Sequence, residues 1–140
     1  QFPQVTSLIM PVGSGTTLLG ISDTLLPTVK LIAAQPASNA PISSHFDSNF
    51  NPETVTITDA LGVKMLPLKA QIIDLLTRRG GGVVVENNQT LLAAAWLKEN
   101  ALNASAETAL CLAGLWKLRA SQSDLLGSNP LILVTGCKRV

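Results

Sequence analysis

The chain has 140 residues and a formal charge of +1, with 46 % hydrophobic and 14 % charged residues. That composition suits one core-rich domain and excludes a disordered chain. No basic cluster exists beyond Lys138-Arg139, which argues against nucleic acid or an anionic membrane as a partner. No apolar run reaches the ~20 residues a bilayer span needs, so no membrane partner is expected.

The opening Gln1-Phe2-Pro3-Gln4 lacks the basic and apolar regions of a secretory signal and is not preceded by Met. The chain therefore reads as one piece of a longer protein, cut or missing on its N-terminal side, with 1–140 forming a single α/β domain. Cys111 and Cys137 are far apart, and with the lone His45 they make no four-ligand metal site. No metal is expected, and a reducing, cytoplasmic compartment fits best. The sequons at Asn88 and Asn103 are read as chance.

In chain order, the apolar run 8–12 is a buried strand, since it shows no polar alternation. Gly13-Ser14-Gly15-Thr16-Thr17 follows, five small residues that leave backbone N–H groups uncovered, and Leu18-Leu19 start a short helix over 18–26. Strand, small-residue loop and helix N-terminus together form an arrangement that binds phosphate. A Walker loop is excluded because Gly20 is followed by Ile21-Ser22 in place of Lys and a hydroxyl residue. A dinucleotide fingerprint fits poorly, because position 18 is Leu where a third Gly belongs. Two readings stand: a loop sized for one phosphate monoester, or an ordinary glycine-rich turn.

Residues 29–35 form a second strand and 36–41 a loop. His45, Phe46 and Phe50 lie in 42–50, where packing is the simpler role. Residues 53–59 alternate and read as an edge strand or an extended crossing segment. From Leu68 the period becomes helical, and Gly80-Gly81-Gly82 ends that helix as C′ glycines. Val83-Val84-Val85 is a third strand. Asn87 or Asn88 then caps a helix over 90–100, packed through Leu91, Leu92, Ala95 and Trp96. A connector over 102–107 leads to a helix over 108–120, and 131–134 is the last strand, ending at Thr135-Gly136. Alternating strands and helices predict an α/β three-layer sandwich with a mostly parallel sheet. Ligands of such sheets bind beyond the strands' carboxyl ends. The loop 13–17, the connector before Thr108 and Thr135-Gly136 would share that edge.

Five stretches resemble one family in order: P-V-G-S-G-T-T-L-L-G, L-I-A-A-Q-P-A-S-N-A-P-I, G-V-V-V-E-N-N-Q-T-L-L-A-A-A-W-L, A-E-T-A-L-C-L-A-G-L-W-K-L and L-I-L-V-T-G. They are similar to the C-terminal part of fold-type II pyridoxal-phosphate enzymes (the tryptophan synthase beta-like family), with the threonine synthases most similar. The resemblance implies pyridoxal 5'-phosphate as cofactor. Gly13, Ser14, Gly15, Thr16 and Thr17 would hold its phosphate, and Thr108 would take the place of the hydroxyl residue facing the pyridine nitrogen. It also implies a lyase or synthase of amino-acid metabolism acting on a small amino-acid substrate. Dimers are common among such enzymes, so a homodimer would be compatible.

The chain departs from the pattern at Ser105-Ala106, where the family has Glu-Pro, and at Cys137-Lys138, where it commonly has His-Gly. The family's Schiff-base lysine belongs to the N-terminal half, and none of Lys30, Lys64, Lys69, Lys98, Lys117 or Lys138 sits in its motif. Catalytic residues are therefore not assigned within this chain. The alternative from another class is a non-catalytic α/β module that binds a phosphorylated metabolite on the 13–17 loop.

Overall fold

The structure, a computed structural model, describes residues 4–58, 61–134 and 136. Four strands make one sheet in the order β3-β2-β1-β4, with every neighbouring pair parallel. They are β1 (Ser7–Pro11), β2 (Lys30–Pro36), β3 (Gly80–Val85) and β4 (Pro130–Ile132). β1 is paired on both sides, Ile9 lying between Ile32 and Ile132. A strand in that position is covered on both faces, which is why its sequence is apolar without alternation.

Successive side chains of a strand point to opposite faces, and two separate cores result. Leu8, Met10, Val12, Leu31 and Ala33 pack with Leu18 of α1 (Thr16–Ser22) and with Ile72 and Leu76 of α2 (Lys69–Arg79). Ile9, Ile32, Ala34, Val83 and Val85 pack with Ala93 and Leu97 of α3 (Asn87–Glu99) and with Ala109, Leu110 and Ala113 of α4 (Ala106–Ser121). The predicted three-layer sandwich is therefore present, and its sheet is parallel throughout the described strands. A short α5 (Ser123–Leu126) leads into β4.

Several local expectations are corrected. α1 begins at Thr16 and ends at Ser22, earlier at both ends than the predicted 18–26. The glycine triplet does not cap α2 with a left-handed residue, because Gly80 has φ 173, an extended value. All three glycines belong to β3, and at Gly80 and Gly82 neighbouring backbone comes too close for a side chain. A Cβ on Gly80 would overlap the Leu31 carbonyl, and one on Gly82 would lie 2.8 Å from Ser43 Cα.

The N-cap of α3 is Glu86 and not Asn87 or Asn88; Glu86 and Gln89 form a reciprocal capping box. The buried face of α3 is Thr90, Ala93 and Leu97, whereas Leu91, Leu92 and Trp96 are exposed. The helix is apolar nearly all round, so its period supports two stripes. Its packed stripe against α4 is the one with smaller residues, which permit close approach. Residues 51–58 form no strand. They are held by side chains at the start of α3: Glu53 accepts from Asn87 N at 2.9 Å, and Asn87 Nδ2 donates to Val55 O at 2.7 Å. Asp59, the last residue of the expected segment, lies outside the described residues.

Two cations tie the layers together. Arg79 donates to the carbonyls of Ser22, Leu25, Leu26 and Val29 at 2.6–3.2 Å, closing the connection from α1 to β2. Lys117 Nζ on α4 donates to Asp47 Oδ2 at 2.7 Å, Asn49 O at 2.6 Å and Val84 O at 2.8 Å.

Candidate cofactor-phosphate site

β1 ends at Pro11, and Val12 remains tied to the sheet by its N–H, which donates to Ala34 O at 3.1 Å. The chain then leaves through the Gly13–Thr17 loop. Gly15 is the N-cap of α1 with φ 86, a left-handed conformation that side chains rarely adopt. A Cβ there would also overlap Ile72 Cδ1 on α2. Glycine is required at this position on both counts, and α2 forms the wall behind the loop.

Among the described residues, the backbone N–H groups of Gly13, Ser14, Gly15, Thr16, Thr17 and Leu18 donate to no protein acceptor. Gly15 and Leu18 are buried residues, whereas Ser14, Thr16 and Thr17 are exposed. The hydroxyls of Ser14 and Thr16 lie 3.2 Å apart on the exposed rim. Six uncommitted donors at the positive end of a helix suit an anion. Gly15 to Leu18 are the donors that any helix start leaves unpaired, and Gly13 and Ser14 extend that set back along the loop.

The loop also occupies the topological switch point of the sheet. β1 and β4 are neighbours, but the connection leaving β1 runs over one face and the connection reaching β4 runs over the other. Open α/β sheets bind ligands in the crevice this creates. Leu133 N donates to Ile9 O at 3.1 Å, carrying the end of β4 alongside the end of β1. A Cβ on Gly136 would lie 3.4 Å from Ser105 Cβ. The segment after β4 and the start of α4 therefore meet. Thr135 lies outside the described residues.

Thr108 is 2 % exposed, in the first turn of α4. Ser105 caps that helix by accepting from Thr108 N at 3.3 Å, and the two hydroxyls are 3.3 Å apart. α4 covers the face opposite α2, so Thr108 and the wall of the 13–17 loop belong to different layers.

Two contributors were not singled out in the sequence. Ile72 read only as one apolar residue of a helix. Gln35 read only as the end of a strand, but it is 2 % exposed and hydrogen-bonds to Val12 O, Ile42 N and Ser43 N. A polar residue closing an apolar strand was the available signal. Cys111 is buried in α4; desolvation, with a smaller contribution from Glu107, pushes its thiol up far beyond the usual range.

An open, parallel α/β sheet with a glycine loop of unpaired amides at its switch point has the architecture of the α/β domains that take ligands at that crevice. The sequence matches the family of pyridoxal-phosphate dependent enzymes over residues 1–136, and the chain belongs to that family. Its cofactor is accordingly pyridoxal phosphate. Among solved structures, the T.th. threonine deaminase is similar at 22 % identity and TM-score 0.73, over 97 % of this chain and 51 % of that one. Maize serine racemase is similar at 18 % identity and TM-score 0.73, over 99 % and 44 %. The O-acetylserine dependent cystathionine beta-synthase of Helicobacter pylori is similar at 20 % identity and TM-score 0.69, over 95 % and 40 %. At these identities the likeness is one of fold. The chain spans about half the length of these structures. A comparison with curated proteins found no match.

Proposed function

We propose that this chain is the C-terminal portion of a pyridoxal-phosphate dependent lyase or synthase of amino-acid metabolism, threonine synthase-like in its motifs. The observation that carries the reading is the run of uncommitted N–H groups from Gly13 to Leu18, set behind a left-handed Gly15 with no room for a side chain. Gly13, Ser14, Gly15, Thr16 and Thr17 hold the cofactor phosphate through backbone donors, with the hydroxyls of Ser14, Thr16 and Thr17 at the rim. When bound, pyridoxal phosphate supplies an electron sink at the α-carbon of an amino acid.

Thr108 is the residue assigned to the pyridine nitrogen. A neutral hydroxyl there leaves the ring nitrogen largely unprotonated and the sink weaker than one paired to a carboxylate, which favours β-elimination and replacement over transamination. The structural neighbours named above are a threonine deaminase, a serine racemase and a cystathionine beta-synthase. Those names support an amino-acid substrate carrying a leaving group beyond the α-carbon. The cofactor-bearing lysine is assigned to a part of the protein outside residues 1–140.

The test uses the full-length protein. Borohydride reduction should fix pyridoxal phosphate to one lysine, and peptide mapping should place that lysine outside this chain. Full-length protein that cannot be loaded with the cofactor would overturn the reading and favour a non-catalytic module for phosphorylated metabolites. A lysine trapped within residues 1–140 would overturn the assignment of roles between the two halves.

A further inference from the structure

We propose that Gln35 is a positioning residue for anion binding: by holding the Val12 carbonyl, it aims the Gly13 N–H into the phosphate loop. The inference rests on the reading of residues 13–17 as that loop.

Gln35 is the penultimate residue of β2, and all its amide atoms have partners. Nε2 donates to Val12 O at 3.0 Å, and Oε1 accepts from Ile42 N and Ser43 N, both at 2.9 Å. This orientation is forced. Two N–H groups require an acceptor and a carbonyl requires a donor, so a flipped amide would set like against like.

Val12 O and Gly13 N–H belong to one peptide unit. No peptide bond among the described residues is cis, and in a trans unit the C=O and N–H point in opposite directions. With its oxygen turned toward Gln35, this unit must present the Gly13 N–H away from β2. That N–H has no protein acceptor among the described residues. Restraint matters here because Gly13 has no Cβ, and a peptide next to glycine otherwise rotates at little cost. The Gln35 amide thus converts a permissive unit into a fixed donor, with its own position set by the turn at Ile42 and Ser43.

Substituting the amide group separates positioning from packing. Gln35→Glu keeps acceptors for Ile42 N and Ser43 N, but when ionised it faces the Val12 carbonyl with no proton to donate. Protonated, it regains a donor. Gln35→Met fills similar space with neither function. Val84, which pairs with Gln35 in the sheet, bonds the ion pair of Asp47 and Lys117. That pair and the titrating phosphate are common to wild type and variants, so ratios to wild type cancel both.

In the full-length protein, the affinities of pyridoxal phosphate and phosphate-free pyridoxal would be compared between about pH 5 and pH 8. At neutral pH both variants should bind pyridoxal phosphate about ten- to a hundredfold more weakly, the scale of one misplaced buried polar group, with pyridoxal little changed. Gln35→Glu should recover relative to wild type as pH falls, and Gln35→Met should not. The Gly13 amide resonance, followed while inorganic phosphate is added, should move in wild type and much less in Gln35→Met. Equal losses for pyridoxal and its phosphate, or the same Gly13 response in wild type and Gln35→Met, would overturn the role of Gln35 alone. A wild-type Gly13 amide indifferent to both phosphate and cofactor would overturn the phosphate-loop reading as well.

Discussion

Gly15 carries two independent constraints, and they can be separated. Its left-handed φ of 86 costs an alanine about 1–2 kcal/mol, and the added Cβ must also displace Ile72 Cδ1. Gly15→Ala should lower the midpoint of thermal unfolding by several degrees, following about 2–4 °C per kcal/mol at this size. Ile72→Val removes the offending methyl, so the double variant should recover the steric part of that loss and retain the backbone part. Additive losses in the double-mutant cycle would mean that the contact is not the source. On the proposed assignment of Thr108 to the pyridine nitrogen, Thr108→Val in the reconstituted enzyme should weaken cofactor binding about tenfold or more, the scale of one hydrogen bond lost to a dry ring nitrogen. Thr90→Val, equally buried at the start of α3, should change it little. Equal cofactor affinity in Thr108→Val and wild type would remove Thr108 from the site.

Cys111 has a stability consequence with a definite sign. Its thiol stays protonated in the fold, where burial opposes the thiolate. The unfolded chain releases that proton above about pH 8.5. The contribution is therefore complete below that value and declines above it, by up to about 1.4 kcal/mol per pH unit. Cys111→Ala should flatten the alkaline limb of a stability–pH curve measured by denaturant unfolding. An unchanged limb would assign the decline to other groups.

At the scale of elements, the fold is held where helices donate into the ends of strands. Lys117 of α4 reaches Val84 of β3, and Asp47 accepts from Val84 N at 2.9 Å and from Lys117 at 2.7 Å. The pair is nearly buried, with side-chain exposures of 12 % and 9 %. Removing only the cation leaves a carboxylate and two carbonyls short of a donor. Lys117→Met should destabilise by about 3–5 kcal/mol. Adding Asp47→Asn should return part of that loss in urea unfolding, because the stranded charge is then gone. A double variant as unstable as the sum of both singles would show that the charges do not act as a pair. Ser105 performs the smaller task of capping α4 by accepting from Thr108 N at 3.3 Å. Ser105→Ala should cost about 1 kcal/mol, and through Thr108 it offers a milder probe of the same corner.

At the scale of the whole molecule, the order of elements and the location of the loop were legible from residue pattern. Residues 8–12 read as a doubly covered strand, and Gly13 to Thr17 as either a phosphate loop or an ordinary glycine-rich turn. The family resemblance of five motifs in order is matched by the family match over residues 1–136. Among the features that misled were a helix apolar on nearly every side and a glycine triplet. In α3 the period alone could not choose between Leu91-Leu92-Trp96 and Thr90-Ala93-Leu97. In β3 the glycines answer to the Leu31 carbonyl and Ser43, which lie far away in sequence.

By itself, the sequence determined periodicity, chain order and the chemical character of the loop, because each depends on neighbours within a few residues. Tertiary structure alone decided which amides of that loop remain unpaired, that α2 closes behind Gly15, and that Gln35 turns the Val12 peptide. Those features arise where residues distant in the chain meet across the parallel sheet. Hydrogen-bond partners and steric walls of that kind leave no local pattern to read.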